Sequence, residues 1–380
     1  MELIRPLIVA LDSSTLGKVS RDYWSASPED RLKARTFIAD LRNRGVYVAF
    51  TLMHVCELLR HGDPVVTRER LGFLSSLPLI AWLRPYSKTW FPGSVCDLHV
   101  RELHAFHFDS AKTWREIIEA VRQDLWETGM GSEMFMNTDE FWGEIKRISV
   151  ELHRVEKTVA SIAKPDASNA NHRTIEQSRN TEKRSNESRG AFFPKYAESL
   201  RHKLVQHGDR RLEDVDRIAC GFAKSIQIRV ESNNGFGDDP IGGIMDHFGV
   251  PKELVTPRTT LGEVGHIAAY VARLRVYSKY LRPTCSLSMT DVPIDSLPSD
   301  VLHVRLASIQ QRADRVSGSD MGDAGLATLA LYSDCIEVDK RTWEYLNQLK
   351  RSDPAIGLLI GSYFKESDYS RIPDLIQRIG

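Results

Sequence analysis

A continuous apolar run, Ile4 to Leu11, opens the chain and ends at Asp12. A strand buried on both faces reads this way. Ser27 before Pro28-Glu29-Asp30 supplies an N-cap with proline at N1, and Gly45 a C′ stop. These signals predict a helix running to about Arg44. Val46 to Phe50 is rich in β-formers and reads as a second strand. Thr51 caps a helix from about Leu52 to His61, which His61-Gly62-Asp63-Pro64 ends. Thr67 to Ser76 predicts another helix and Leu79 to Leu83 a third strand. This β-α-β-α-α-β order predicts an α/β fold, a three-layer α/β/α arrangement with a central, mostly parallel sheet.

From about residue 96 the period changes. Ser110 to Thr128, Asp139 to Ile162, Ala197 to His207, Leu212 to Glu231, Ile241 to Phe248 and Leu261 to Leu281 have helical patterning. Residues 164–190 are rich in Asn, Ser, Arg and Glu and almost free of apolar side chains, so a flexible loop is expected there. Residues 96–295 therefore read as a helical insertion between two parts of one core, 1–95 and 296–380. Pro293 and Pro298 mark the return. Val301 to Val316 and 341–350 are expected to be helical, Ile356 to Tyr363 a last strand, and a short helix to start at Pro373.

Charge and cysteine content narrow the class. The 51 basic and 51 acidic residues cancel, so a polyanionic partner has to be sought in local patches. No apolar run is long enough for a membrane span. Met1 to Pro6 lacks the basic start and apolar core of a signal peptide. Five scattered cysteines without a CxxC fit reduced thiols and a cytoplasmic location, and carry no zinc signature.

The acidic residues are better placed than their number suggests. Asp12 ends the first run, and Glu57 lies in the helix after the second. Asp320 and Asp323 open an Ala/Leu-rich stretch, and Asp339 ends the short run Cys335 to Val338. Carboxylates at strand ends reach the edge of a sheet where α/β proteins keep their chemistry. Several of them together repel and gain most by sharing Mg²⁺ or Mn²⁺. Each has a plainer reading. Asp12, beside Ser13 and Ser14, suits a turn after a strand. Glu57 suits a solvent-facing helix position. Asp320 and Asp323, three residues apart, suit a helix N-terminus through the macrodipole alone. Asp334 reads as a structural turn residue. Ser319 and Thr342 suit hydrogen bonds to a ligand carboxylate, or caps.

The segments Leu-Asp-Ser-Ser-Thr (11–15), Thr-Leu-Met-His-Val-Cys-Glu-Leu-Leu (51–59) and Gly318 to Thr342 resemble, in order and context, the PIN-domain ribonucleases and PIN-like nucleases. The resemblance spans roughly residues 1–95 and 300–380. It implies a Mg²⁺- or Mn²⁺-dependent phosphodiesterase, foremost an endoribonuclease on single-stranded RNA, toxin-like or part of a defence system. Asp12, Glu57, Asp320 or Asp323, and Asp339 would be both metal ligands and catalytic residues. Cleavage would leave 5′-phosphate and 3′-OH ends. It leaves room for a structure-specific DNA nuclease, for a non-catalytic RNA- or protein-binding module, for a protein partner or inhibitor, and for a homo-oligomer. On their own position, Lys340 or Arg341 suits a contact to a substrate phosphate, or, more plainly, solvent.

A basic patch lies in the expected insertion. Between Asn171 and Arg211 the local balance is +5, with Phe192, Phe193 and Tyr196 interleaved. Lys195, Arg201 and Lys203 there suit phosphates, and the aromatics suit unstacked bases. A solvated helix face is the plainer alternative. His99, His104 and His107 could suggest a metal, but the pair His104 and His107, three apart, lacks a third ligand at a defined spacing, and all three read as surface or packing residues.

Overall fold

A computed structural model of the chain describes residues 6–86, 92–135, 139–163, 172–182, 189–207, 212–232, 242, 245–246, 249–282, 284, 286–312 and 319–379. It divides into two compact units. One combines Met1–Arg154, Asp295–Gln310 and Met321–Gly380, and the other Val155–Ile294 and Gln311–Asp320.

The first unit is mixed α/β. Its sheet contains β1 (Leu7–Ala10), β2 (Val46–Phe50), β3 (Ile80–Leu83), β4 (Trp126–Gly129), β5 (Cys335–Glu337) and β6 (Ser362–Phe364). They lie in the order β4-β3-β2-β1-β5-β6. Every neighbouring pair is parallel except β3 with β4. Leu7 pairs with Val46 and Ala10 with Ala49, while Val9 pairs with Cys335 on the other side. Val9, Leu11, Val48, Phe50 and Ile80 are buried with Leu16, Val19, Phe37, Leu58 and Phe73 from flanking helices. Burying each such side chain contributes roughly 1.5–3 kcal/mol before the entropy of ordering the chain is set against it.

Two helices frame the start of the sheet. α1 (Ser13–Tyr23) stands where the sequence reads as a turn after β1. Leu16, Val19 and Ser20 face inward at helical spacing, and that burial outweighs the turn preference of the preceding Asp and Ser residues. α2 (Pro28–Asn43) has the expected Ser27 cap, and Gly45 follows with φ +66°. α3 (Leu52–Leu59) is capped by Thr51, and α4 (Pro64–Ser76) follows.

The boundary expected at residue 96 moves. Residues 96–154 belong to the first unit, because their polar groups and strand partners lie in it. The stretch to Thr128 does not stay helical. α5 (Val95–His107) and α6 (Trp114–Arg122) are followed by β4, which adds antiparallel to β3. The β-formers of Trp126-Glu-Thr complete an otherwise open edge. Arg122 Nη2 donates to the Leu331 carbonyl (2.6 Å) and Trp126 Nε1 to that of Tyr332 (3.4 Å). The last strand starts later than expected. Asp353 caps a helical turn, Pro354–Gly357, with proline at N1, and pairing resumes only at Ser362. Asp334 is structural as expected, accepting from the Ile8 N–H (2.8 Å).

The second unit is helical, with Ile175–Glu182, Arg189–His207, Val215–Ser232 and Leu261–Leu281. Leu200 and Leu204 pack against Ala219, and Ile175 against Val264 and Ala268. Of the loop expected at 164–190, residues 164–171 and 183–188 lie outside the described residues, and Ile175–Glu182 is a helix. Of the helix expected at 241–248, only 242, 245 and 246 are described. Among the described residues no helix is long and apolar enough to cross a membrane.

Candidate functional site

From β1 the chain builds outward through β2 and β3. It returns at β5 on the other flank of β1 and continues to β6. The strand order therefore reverses between β1 and β5, and open parallel sheets form a crevice at the carboxyl ends of such a pair. Asp12 follows β1, Glu337 ends β5, and Asp339 lies two residues beyond. The crevice there is lined by Asp12, His54, Asp323, Glu337, Asp339 and Thr342.

Each acid is held by a local device. Asp12 is the N-cap of α1, its Oδ1 accepting from the Ser14 N–H (2.6 Å). Asp339 caps the helix Lys340–Ser352, with Oδ1 accepting from the Thr342 N–H (2.7 Å). Asp12 thus serves locally as a helix cap and not as the turn residue its plainer reading suggested, and Asp339 has a like role. Capping engages one carboxylate oxygen of each. Glu337 is buried, and it accepts from Thr15 Oγ1–H (2.7 Å) and from the Asp12 N–H (3.2 Å). Glu57, half-buried on α3, stands by the helix Ser319–Ala327: a Cβ at Gly322 would lie 3.5 Å from its Oε1. Asp323, half-buried, is on that same helix. The side chain of Asp320 lies outside the described residues, so only Asp323 of the competing pair is placed in the crevice.

The electrostatics are those of crowded acids. Burial pushes the Glu337 carboxyl up to about 8; Thr15 moderates this, and the nearby Asp12 charge adds to it. Burial also raises Glu57, Ser13 and Arg60 pull it down, and Asp12 pushes it up. His54 goes the other way. Burial lowers it to about 4, so it is neutral near pH 7, and its Nδ1 accepts from the Thr51 N–H (3.1 Å). This neutral ring is a buried wall of the crevice and not a cation.

Glu337 and His54 were not among the candidates the sequence singled out. Glu337 has a visible signal. It is an ionisable residue inside an otherwise buried parallel strand, where a carboxylate is costly without a partner. A testable consequence follows from its raised pKa. Between pH 4.5 and 8 the folded chain holds a proton that the unfolded chain has lost. Its contribution is fully present below pH 4.5 and is lost as the pH rises through 8. Glu337→Gln is expected to flatten that decline in thermal melts run in a chelator from pH 5 to 9. A curve parallel to wild type would show that another group titrates. His54 acts in the opposite sense, stabilising above its unfolded pKa of 6.5 and withdrawing that contribution as the pH falls toward 4.

The expected substrate contacts divide. Lys340 is exposed and Arg341 half-buried in the first turn of the helix capped by Asp339, between the crevice residues Asp339 and Thr342. Lys195, Arg201 and Lys203 lie in the second unit. Arg201 is committed to Asp216 (2.5 Å) and to Glu198 (3.7 Å), which lowers its worth as a phosphate contact. Of the histidines, His99 is buried, and His104 pairs with Asp109 (3.2 Å).

The charged donors of the crevice are carboxylate oxygens, the chemistry that suits a hard divalent cation. Among the described residues no three acidic, histidine or cysteine side chains stand close enough to hold an ion as they are. Comparison of the chain with protein-family models, with curated proteins and with solved structures gave no match.

Proposed function

We propose that this chain is a PIN-like, metal-dependent nuclease that hydrolyses phosphodiester bonds, with single-stranded RNA as its main substrate. One observation supports this most: four carboxylates, Asp12, Asp323, Glu337 and Asp339, line a crevice where the strand order of a parallel sheet reverses. Glu57 borders it from α3. Mg²⁺ or Mn²⁺, when bound, neutralises phosphate charge and acidifies a water for attack on phosphorus.

The chain's own part is to place oxygens and exclude alternatives. Asp12 offers the oxygen its cap leaves over. Asp339 does the same from the facing helix start. Asp12, Asp323 and Asp339 are half-buried or exposed, so rotamer changes at these three would close the set. Glu337 is already fixed by Thr15 and the Asp12 backbone, and would release its proton as a cation arrives. Neutral His54 keeps positive charge out of the wall, so a cation would meet no competitor there.

The test is cleavage of labelled single-stranded RNA and DNA with Mn²⁺. RNA cutting that a chelator stops is the expected result. Cutting confined to branched or flapped DNA would favour a structure-specific DNA nuclease. A non-catalytic binding module is the second reading, favoured by the use of Asp12 and Asp339 as caps. Binding without cutting of any substrate would establish it.

A further inference from the structure

Two cations, Lys18 and Arg60, stand on elements that carry the acids, and a third, Arg70, stands on α4; among the described residues none of them makes an ion pair, although Arg60 and Lys18 act electrostatically on Glu57 and Glu337. Lys18 lies one helical turn after Thr15, the residue that holds Glu337. Residues three apart on a helix share a face. Arg60 closes α3 one turn after Glu57, so it too shares the face of its acid. Its Nη1 lies 2.9 Å from His153 Nδ1, a ring nitrogen that accepts when neutral and carries no negative charge. Arg70 stands behind them. Its Nη1 donates to the Leu58 carbonyl (2.6 Å), and its Nη2 reaches to within 3.7 Å of where a Cβ at Gly17 would be. Lys18 and Arg60 are both half-buried. Arginine and lysine side chains on a protein surface usually find an acid or solvent. Here two of them are held next to acids that are themselves crowded, and burial, with the nearby Arg60 charge adding to it, disfavours the charge of the third, Arg70.

A charge pattern of this kind suits a ligand with alternating needs. A polyanion crossing an acidic crevice is repelled at the crevice until a cation fills it, and must be held on either side by fixed positive groups. We propose that Lys18 and Arg60 form a two-point clamp for the backbone of a single-stranded nucleic acid, gripping phosphates that flank the one at the carboxylate crevice, with Arg70 reinforcing the potential behind Arg60. The clamp rests on the nuclease reading for its location and adds to it the residues that bind substrate. It differs from the basic patch of the second unit, where Arg201 is already paired. His153 sets the direction of the Arg60 guanidinium and leaves its other nitrogens for a phosphate.

The test measures binding apart from cutting. A fluorescein-labelled oligouridine is titrated with full-length Asp12→Asn protein in Mn²⁺ at several salt concentrations, alone and with Lys18→Gln and Arg60→Gln together. Each lost contact to a single strand lowers the salt slope by about 0.7, so the pair is expected to lose about 1.4 in slope and roughly 25-fold in affinity at ~0.1 M salt. Arg60→Lys keeps the charge and is expected to keep the slope, which separates the clamp from a fold defect. Unchanged affinity, or weaker binding with an unchanged slope, overturns the clamp. Wild-type cutting assayed in parallel distinguishes the two readings. Cutting with no effect of the pair removes the clamp alone. Cation-dependent binding with no cutting removes the nuclease alone. Absence of binding by the parent removes the clamp.

Discussion

Asp12→Asn and Asp339→Asn are each expected to lower Mn²⁺-dependent RNA cleavage by roughly a thousandfold while leaving the melting temperature within a few degrees of wild type. Both residues are N-caps, and asparagine caps as well as aspartate does. The substitution therefore retains the hydrogen bonds to Ser14 and Thr342 and removes only the negative charge. Losing a charged ligand from a site where cations stabilise the transition state costs several kcal/mol, and each ~1.4 kcal/mol is tenfold in rate. Alanine would confuse the result, because it removes the cap as well, about 1 kcal/mol of helix stability. Rates unchanged in Asp12→Asn with normal melting would mean that capping is all Asp12 does. The same logic applies to Asp339.

Glu102→Ala is expected to destabilise the first unit by about 3–5 kcal/mol. Glu102 on α5 is completely buried. It accepts from the Ser299 N–H (2.9 Å) and from the Tyr332 hydroxyl, so it joins α5 to the helix Pro298–Gln311 and to the turn before β5. Removing it leaves two buried donors without an acceptor, at about 1–3 kcal/mol each. Tyr332→Phe removes one bond without orphaning a donor and is expected to cost about 1 kcal/mol. Burial pushes the Glu102 carboxyl from its ordinary 4.5 up to about 8, while the bonds from Tyr332 and Ser299 hold it down. The folded state is therefore the more protonated one between those limits, and stability from this group falls as the pH rises from 4.5 to 8. Glu102→Gln keeps an acceptor and cannot ionise, so it is expected to fold and to lack that slope. The check is chemical denaturation at pH 5, 7 and 9, read against Glu337→Gln, which addresses the other buried glutamate. A Glu102→Ala protein as stable as wild type would mean that Ser299 and Tyr332 find other partners.

Local signals made much of the first unit legible. β1, β2 and β3 follow from apolar runs of strand length, and α2 and α3 from Ser27, Pro28, Gly45 and Thr51, which act on their immediate neighbours. Asp12 and Asp339 were legible as acids at strand ends for the same reason. α1 was not, because Asp-Ser-Ser favours turn and helix start alike, and only the burial of Leu16 and Val19 decides between them.

The period of each segment, the capping residues and the positions of the acids were encoded locally, since they depend on side chains a few residues apart. Tertiary structure alone decided the rest. It assigned residues 96–154 to the sheet-bearing unit, through the β4 ladder and the buried bonds of Glu102. It drew Glu337 to Thr15 across 322 positions of sequence and made that glutamate part of the crevice. It also brought α1 and α3, with Lys18 and Arg60 on them, beside the acids of β5 and of the helix Ser319–Ala327. Strand pairing and burial act between residues remote along the chain, so no local pattern encodes which acid a fold will enclose or which cation it will leave unpaired.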